Sequence, residues 1–265
     1  HKVPMPRLGG LAIYIAFLFG YILYGQISTQ MISILIGSFL LIIVGIFDDI
    51  NSVPAKYKFL VQIVAAAIVV IYGKLGFSEL TVFGLSFHFP MIINDILAIF
   101  FIVAITNAIN LIDGLDGLSS GISAIYFLTI AIIALITNKI GGIDIILSLI
   151  MLGATLGFLM FNLHPAKVFM GDTGSLSLGA TLAAIAILTK HELSLAVIGG
   201  VFVIEALSSI IQLTAIKKFH RKVFLMTPIH HHFEKLGWEE TDIVKMFLII
   251  GFMLGMIAIY YGVWM

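Results

Sequence analysis

The sequence predicts an all-α integral membrane protein, a polytopic helical bundle. Three observations carry that reading. Of the 265 residues 61% are hydrophobic and 11% charged, against about 45–50% and about 25% in soluble domains. Mean hydropathy is +1.17. The apolar residues also fall in long runs, and a bilayer core about 30 Å thick needs roughly 20 of them per helix.

Nine such stretches run Gly9–Gly25, Met31–Phe47, Phe59–Tyr72, Ile92–Ala108, Leu118–Ile136, Ile143–Phe161, Leu176–Thr189, Leu193–Ile216 and Ile243–Val263. Between the third and fourth, residues 79–90 alternate Leu80, Val82, Leu85, Phe87 and Phe89 around Gly84, which predicts a short hairpin on the outer, periplasmic surface. The nine spans leave no room for a separate soluble domain, so residues 1–265 read as one polytopic membrane domain with functional loops at one end.

Nine spans place Lys2, Arg7, Lys56, Lys58, Lys167, Lys217, Lys218, Arg221, Lys222, Lys235 and Lys245 on one side, and Lys74, Lys139 and Lys190 on the other. Lysine and arginine favour the cytoplasm, so His1 starts there. The chain has no cysteine, which excludes disulfides, thiolate catalysis and thiolate-bound metal. No basic tract interleaved with aromatics is present, which argues against nucleic acid as a partner. The residues from His1 onward show no signal-peptide pattern and no lipidation motif.

Acids on the cytoplasmic side locate the function. Asp48 and Asp49 end the second stretch, as a base, as a cation-facing pair or as a solvated boundary. Residues 107–117 read NAINLIDGLDG. Asn107, Asn110, Asp113 and Asp116 there can bind hydrated Mg²⁺, ribose hydroxyls or a base edge, or simply form an Asx-rich turn. Asp172, ahead of the run from Leu176, suits a helix N-cap, and can also bridge through Mg²⁺ to a diphosphate. Phe169 can stack on a base. His230, His231 and His232 lie in a basic loop; consecutive histidines do not share a helix face and the HExxH spacing is missing. They suit an anionic or polyhydroxylated ligand better than zinc, while the surrounding cations also suit anionic lipid. Lys2, Arg7, Lys56 and Lys58 either hold a lipid phosphate or anchor the interface.

Five segments carry a resemblance: PRLGG (Pro6–Gly10), GIFDD (Gly45–Asp49), NAINLIDGLDG (Asn107–Gly117), FMGDTGSL (Phe169–Leu176) and PIHHHFEKLGW (Pro228–Trp238). In that order, over nearly the whole chain, they resemble the polyprenyl-phosphate N-acetylhexosamine-1-phosphate transferases. The half from Phe169 through Glu205 and Gln212 is similar to the branch that transfers phospho-N-acetylmuramoyl-pentapeptide. The opening with MPRLGG, and GIFDD with PAKYKFLVQ, looks more like the branch that transfers N-acetylglucosamine-1-phosphate for teichoic acid or O-antigen. The histidine loop, the part associated with sugar recognition, favours the first.

The resemblance implies attack by an undecaprenyl-phosphate oxygen on the β-phosphorus of a UDP-linked amino sugar, UDP-MurNAc-pentapeptide for preference, with UMP leaving. It implies Mg²⁺ on Asp172, with Asp48 and Asp49 beside it and Lys56 or Lys58 offsetting phosphate repulsion. Asn110, Asp113, Asp116 and Phe169 would then meet the uridine end, and Gln212 with His230 to His232 the sugar and its lactyl-peptide. It further implies ten spans, hence one helix before His1, a bacterial inner membrane with the active site facing the cytoplasm, and a homodimer. A transporter is the reading from a different class, but its site would lie near the midplane on broken helices, where Glu205 is the main ionisable residue.

Overall fold

The structure is a computed structural model and describes residues 5–77, 80–82, 85–137 and 141–264. Lys2, Glu79, Lys139 and the hairpin turn at Gly84 lie outside the described residues.

The helices are α1 (Gly9–Tyr24), α2 (Thr29–Ile50), α3 (Ala55–Ala67, continuing as a π-helical turn over Ile68–Tyr72), α4 (Met91–Ile112), α5 (Leu118–Ile136) and α6 (Ile143–Asn162). They continue with α7 (Gly171–Thr189), α8 (Glu192–Ile198), α9 (Gly200–Phe219), α10 (Ile229–Lys235) and α11 (Glu240–Trp264). Eight of these are long and apolar enough to cross a membrane. The protein is thus a polytopic helical membrane protein. Helix α1 is shorter: its 16 residues rise about 24 Å at roughly 1.5 Å each.

The predicted hairpin forms from β1 (Leu80–Val82) and β2 (Leu85–Phe87), antiparallel with Leu80 opposite Phe87. The eighth apolar stretch is two helices, not one. It breaks at Gly199–Gly200, and a Cβ at Gly199 would stand 1.9 Å from the ring of Phe202. Paired glycines are a common cause of sharp helix bends. Residues 229–235, read as loop, form the short helix α10.

Helix α7 is the axis. Its apolar window is 83% buried, against 28% for α3, and it packs on α1, α2 and α4. With lipid outside, hydrophobic burial does not drive these contacts; small residues that admit close backbones do. A Cβ on Gly10 of α1 would fall 1.9 Å from the Gly174 Cα, and one on Gly45 of α2 would fall 2.4 Å from the Thr173 Cα. Two of the sequence motifs are thereby pressed against the first turn of α7. A third contact is backbone pairing: Phe169 N–H donates to Pro6 O (2.9 Å), Gly9 N–H to Phe169 O (3.1 Å) and Gly10 N–H to Met170 O (3.1 Å). The opening PRLGG segment is so fixed beside the FMGD turn, 160 residues away in sequence.

Candidate active site

Alternating helix directions bring the C-terminal ends of α2 and α4 and the N-terminal ends of α3, α7 and α11 to one end of the bundle. The aspartates gather there. Helix α7 has no capping side chain of its own; Asp172 lies inside its first turn instead of capping it. The cap comes from α2. Asp49 Oδ1 accepts the Asp172 N–H (3.0 Å), and Oδ2 accepts the Thr173 N–H (3.0 Å) and hydroxyl (2.6 Å). This is a carboxylate on a helix N-terminus, the favoured sign of charge for the macrodipole. Gly171, at φ +70°, makes room: a Cβ there would meet Asp49 Oδ2 at 2.5 Å and Arg7 O at 2.2 Å.

With its backbone held by Asp49, the Asp172 carboxylate is free to face neighbouring side chains. Lys58 Nζ donates to Asp172 Oδ2 (2.8 Å) and to Asp48 Oδ2 (3.0 Å). Asn110 Nδ2 donates to Asp172 Oδ1 (3.1 Å) and to Ser175 Oγ (2.8 Å). The second Asp48 oxygen accepts the Val53 N–H at 2.6 Å, so both oxygens of Asp48 are engaged.

A cavity of about 270 Å³ opens beside this network. Arg7, Asp49, Asn110, Asp113, Asp116, Asn162, Phe169 and Asp172 contribute to its lining. Burial, and then the carboxylates of Asp172, Asp49 and Asp116, hold the Asp113 carboxyl well above the usual carboxylate range. Asp116 Oδ2 accepts the Ala166 N–H (3.0 Å) and stands 3.2 Å from His164 Nδ1. Glu240 of α11 accepts the Asp116 N–H (2.7 Å). Asp116, His164 and Glu240 each bring one ligand atom within 4.8 Å of the others. Their mixed imidazole and carboxylate donors suit softer cations than the all-oxygen set around Asp172 does.

A second groove of about 440 Å³ adjoins, lined by Lys56, Lys58, Phe59, Gln62, Asn107 and Asn110 among others. Asn107 Nδ2 donates to Gln62 Oε1 (2.6 Å) and Gln62 Nε2 to Asn107 Oδ1 (3.4 Å). Lys56 contacts none of the aspartates among the described residues; its Nζ sits 4.9 Å over the Tyr57 ring.

Of the residues singled out from sequence, Asp48, Lys58, Asn110 and Asp172 touch one another. Asp49 joins them through the α7 backbone. Asp113, Asp116 and Phe169 share their cavity, and Asn107 and Lys56 share the adjoining groove. Gln212 and the histidines line neither. The Gln212 amide is spent on the loop after α9, accepting from Val223 N–H (2.9 Å) and Phe224 N–H (3.0 Å) and donating to Phe224 O (2.9 Å). His230 is fully buried, His231 pairs with Glu234, and His232 Nδ1 accepts the Leu225 N–H (3.1 Å).

Residues that sequence reasoning passed over include Asn162, Gln62 and Glu240. Asn162 accepts from Gly117 N–H and Ser120 and donates to Val168 O, each at 3.1 Å, tying the turn after α4 to the segment before α7. A polar residue inside an apolar run was the available signal for Gln62, and an acid opening a helix for Glu240.

A model of glycosyl transferase family 4 matches residues 31–190. Phospho-N-acetylmuramoyl-pentapeptide-transferases of Bacillus thuringiensis (strain Al Hakam) and Bacillus cereus (strains AH187 and G9842) are each 39% identical to this protein, over all of its length and 86% of theirs. The matched region runs from α2 to the end of α7 and so contains Asp48, Lys58, Asn110 and Asp172, while the relatives extend the likeness through α11; on both counts the chain belongs to glycosyl transferase family 4, as a membrane-embedded phosphoglycosyl transferase.

Proposed function

We propose that the protein transfers phospho-N-acetylmuramoyl-pentapeptide from its UDP-linked form to undecaprenyl phosphate at the cytoplasmic face of the membrane, releasing UMP. The observation that carries this is Lys58, held between Asp48 and Asp172 at the junction of the two cavities.

The reaction requires an oxygen of the lipid phosphate to attack the β-phosphorus of the donor. The bond from that phosphorus to the bridging oxygen breaks, and UMP leaves with the electron pair. Both reactants are anionic, so holding them in line is mostly an electrostatic task. The 270 Å³ cavity is smaller than the roughly 300–1,000 Å³ of sites that take whole drug-sized ligands, which suits the uridine end alone. There Phe169 offers a ring to the base, and Asn110, Asp113 and Asp116 offer partners to its polar edges. The adjoining groove, open toward α3 and α4 and bearing Lys56 and Lys58, suits the lipid phosphate.

The donor set also fits Mg²⁺, a hard cation that takes one or two carboxylates plus phosphate oxygens. Carboxylates crowd one cavity, and burial first, then the charge of Asp172, Asp49 and Asp116, raises the Asp113 carboxyl. Asp172 would hold the ion, with Asn110 and Lys58 fixing the carboxylate, and bound Mg²⁺ would neutralise the diphosphate. Lys58 then screens the approach of two phosphates. Since a phosphate with a second pKa near 6 is mostly ionised at pH 7, Asp48 positions Lys58 and is not needed as a base.

The test is UMP release by purified protein with undecaprenyl phosphate and Mg²⁺, comparing UDP-MurNAc-pentapeptide with UDP-GlcNAc and wild type with Asp172→Asn. Release from the muramoyl donor alone, lost in the variant, is expected. Release from UDP-GlcNAc alone would assign the other substrate, and full activity of Asp172→Asn would refute the metal assignment.

A further inference from the structure

Glu205 is a carboxylate with no exposed surface on α9, a membrane-crossing helix. Ionisable groups in such a place are costly and have a partner. Its partner is His230, the first residue of the histidine run, also without exposed surface. Glu205 Oε1 stands 3.2 Å from His230 Nδ1 without hydrogen-bond geometry between them, and the hydrogen bond that joins the two residues is from the His230 backbone N–H to Oε2 at 3.3 Å. The far side of the ring meets the turn after α4. A Cβ on Gly114 would stand 2.8 Å from His230 Nε2 and 3.3 Å from Cε1, with no atom of another residue among its nearest neighbours. Gly114 lines the acidic cavity between Asp113 and Leu115, and Asp116 follows. The imidazole therefore backs the turn from beneath, and the cavity lies on the other side.

We propose that His230 is a positioning residue: clamped by Glu205, its ring is the seat of the Gly114 turn and sets where Asp113 and Asp116 stand in the cavity. A ring with no exposed surface has nothing to offer a sugar, so His230 departs from the role that the histidine loop implied. The contact joins α9 and α10 to the turn after α4, linking the donor cavity to helices that lie beyond the matched family region, residues 31–190. This rests on the transferase reading for its kinetic consequence but not for the contact itself.

The experiment is a double-mutant cycle on the full chain in detergent, with Gly114→Ala, His230→Ala and the pair, read by UMP release and by thermal melting. Alone, Gly114→Ala forces its methyl against the ring, and a misplacement of about 1 Å near reacting groups costs on the order of 100-fold in rate. His230→Ala lowers kcat/KM for UDP-MurNAc-pentapeptide, and lowers it by the same factor for a UDP-MurNAc donor with a shortened peptide, because Asp113 and Asp116 meet the uridine end that both donors share. In the His230→Ala background the Gly114 methyl has room, so the second substitution adds little to either readout; contacting residues are expected to be non-additive. His230→Asn, which keeps a group near Nδ1 for Glu205, recovers part of the lost rate. Two results overturn the proposal: losses that multiply in the double variant, or a KM rise for His230→Ala confined to the longer peptide. Wild type that releases no UMP from any donor defeats the transferase reading, and the melting cycle still decides the contact.

Discussion

Asp49→Asn separates two roles that adjacent aspartates can play. The Asp49 carboxylate accepts three hydrogen bonds from the first turn of α7. The amide is the same size, but its Nδ2 turns a donor toward N–H and O–H groups that are themselves donors. At least one of the two oxygens is lost as an acceptor, and the remaining one is uncharged. Hydrogen bonds to a charged group contribute about 1.5–3 kcal/mol, neutral ones about 0.5–1.5. Losing the Oδ2 pair and weakening the Oδ1 bond is then worth about 4–7 kcal/mol, with a further 0.3–1 kcal/mol, roughly, from the helix dipole. Because α7 is the axis of the bundle, the cost falls on the whole fold, a drop on the order of 10 °C in melting temperature at about 2–4 °C per kcal/mol. The assay is thermal unfolding in detergent, with Asp172→Asn as the comparison. That variant removes a charge from a crowded site without touching the α7 cap, so it should melt within a few degrees of wild type. If Asp49→Asn melts with wild type while losing UMP release, Asp49 serves the ligand and the capping argument is wrong.

Two further outcomes follow from the same geometry. The folded protein holds the Asp113 proton well above the usual carboxylate range, and the unfolded chain releases it near pH 4. The native state thus binds the extra proton, and stability in EDTA falls as pH rises from about 4 through the raised value; Asp113→Asn flattens that decline in melting temperature, and parallel curves would refute the assignment. The Gln62–Asn107 amide pair lies one helical turn from Lys58 on α3 and from Asn110 on α4, the two side chains that converge on Asp172. Gln62→Leu leaves the Asn107 amide half-satisfied at about 1–3 kcal/mol and lowers UMP release at least tenfold, while the swap Gln62→Asn with Asn107→Gln restores part of it; full activity of Gln62→Leu would show that the pair sets nothing.

The helices were legible because lipid imposes a simple code: a run of apolar residues long enough to span must be a helix. The code fails where packing decides. The break at Gly199–Gly200 sits inside an unbroken apolar run, and only the Phe202 ring beside it reveals the need for glycine. The site was legible as a set of acids at span ends, but the division of labour among them was not. Sequence offered Asp172 as the cap of α7, and the cap is Asp49, 123 residues earlier, because the α2–α7 crossing at Gly45 brings that carboxylate onto the helix end. The buried state of His230 was equally hidden: three histidines in a basic loop look solvated until Glu205 of another helix is placed against the first of them.

The charge arrangement explains why these acids tolerate one another. Asp49, Asp113, Asp116 and Asp172 all line the cavity, and among the described residues Arg7 on its wall, Lys58 bonded to Asp172 and His164 beside Asp116 face them. Lys58 is shared with Asp48, so among the described residues the carboxylates here outnumber the lysine and arginine side chains set against them. The α7 N-terminus relieves Asp49, and burial with the neighbouring carboxylates pushes the Asp113 carboxyl up. A diphosphate entering such a wall would be repelled unless cationic charge entered with it. A site made only to bind the diphosphate of the donor would be better served by lysines. One that must hold a diphosphate and a lipid phosphate in line, then let UMP go, is better served by acids that capture a cation, since the attraction is then strongest when both phosphates are present and weakens as one leaves.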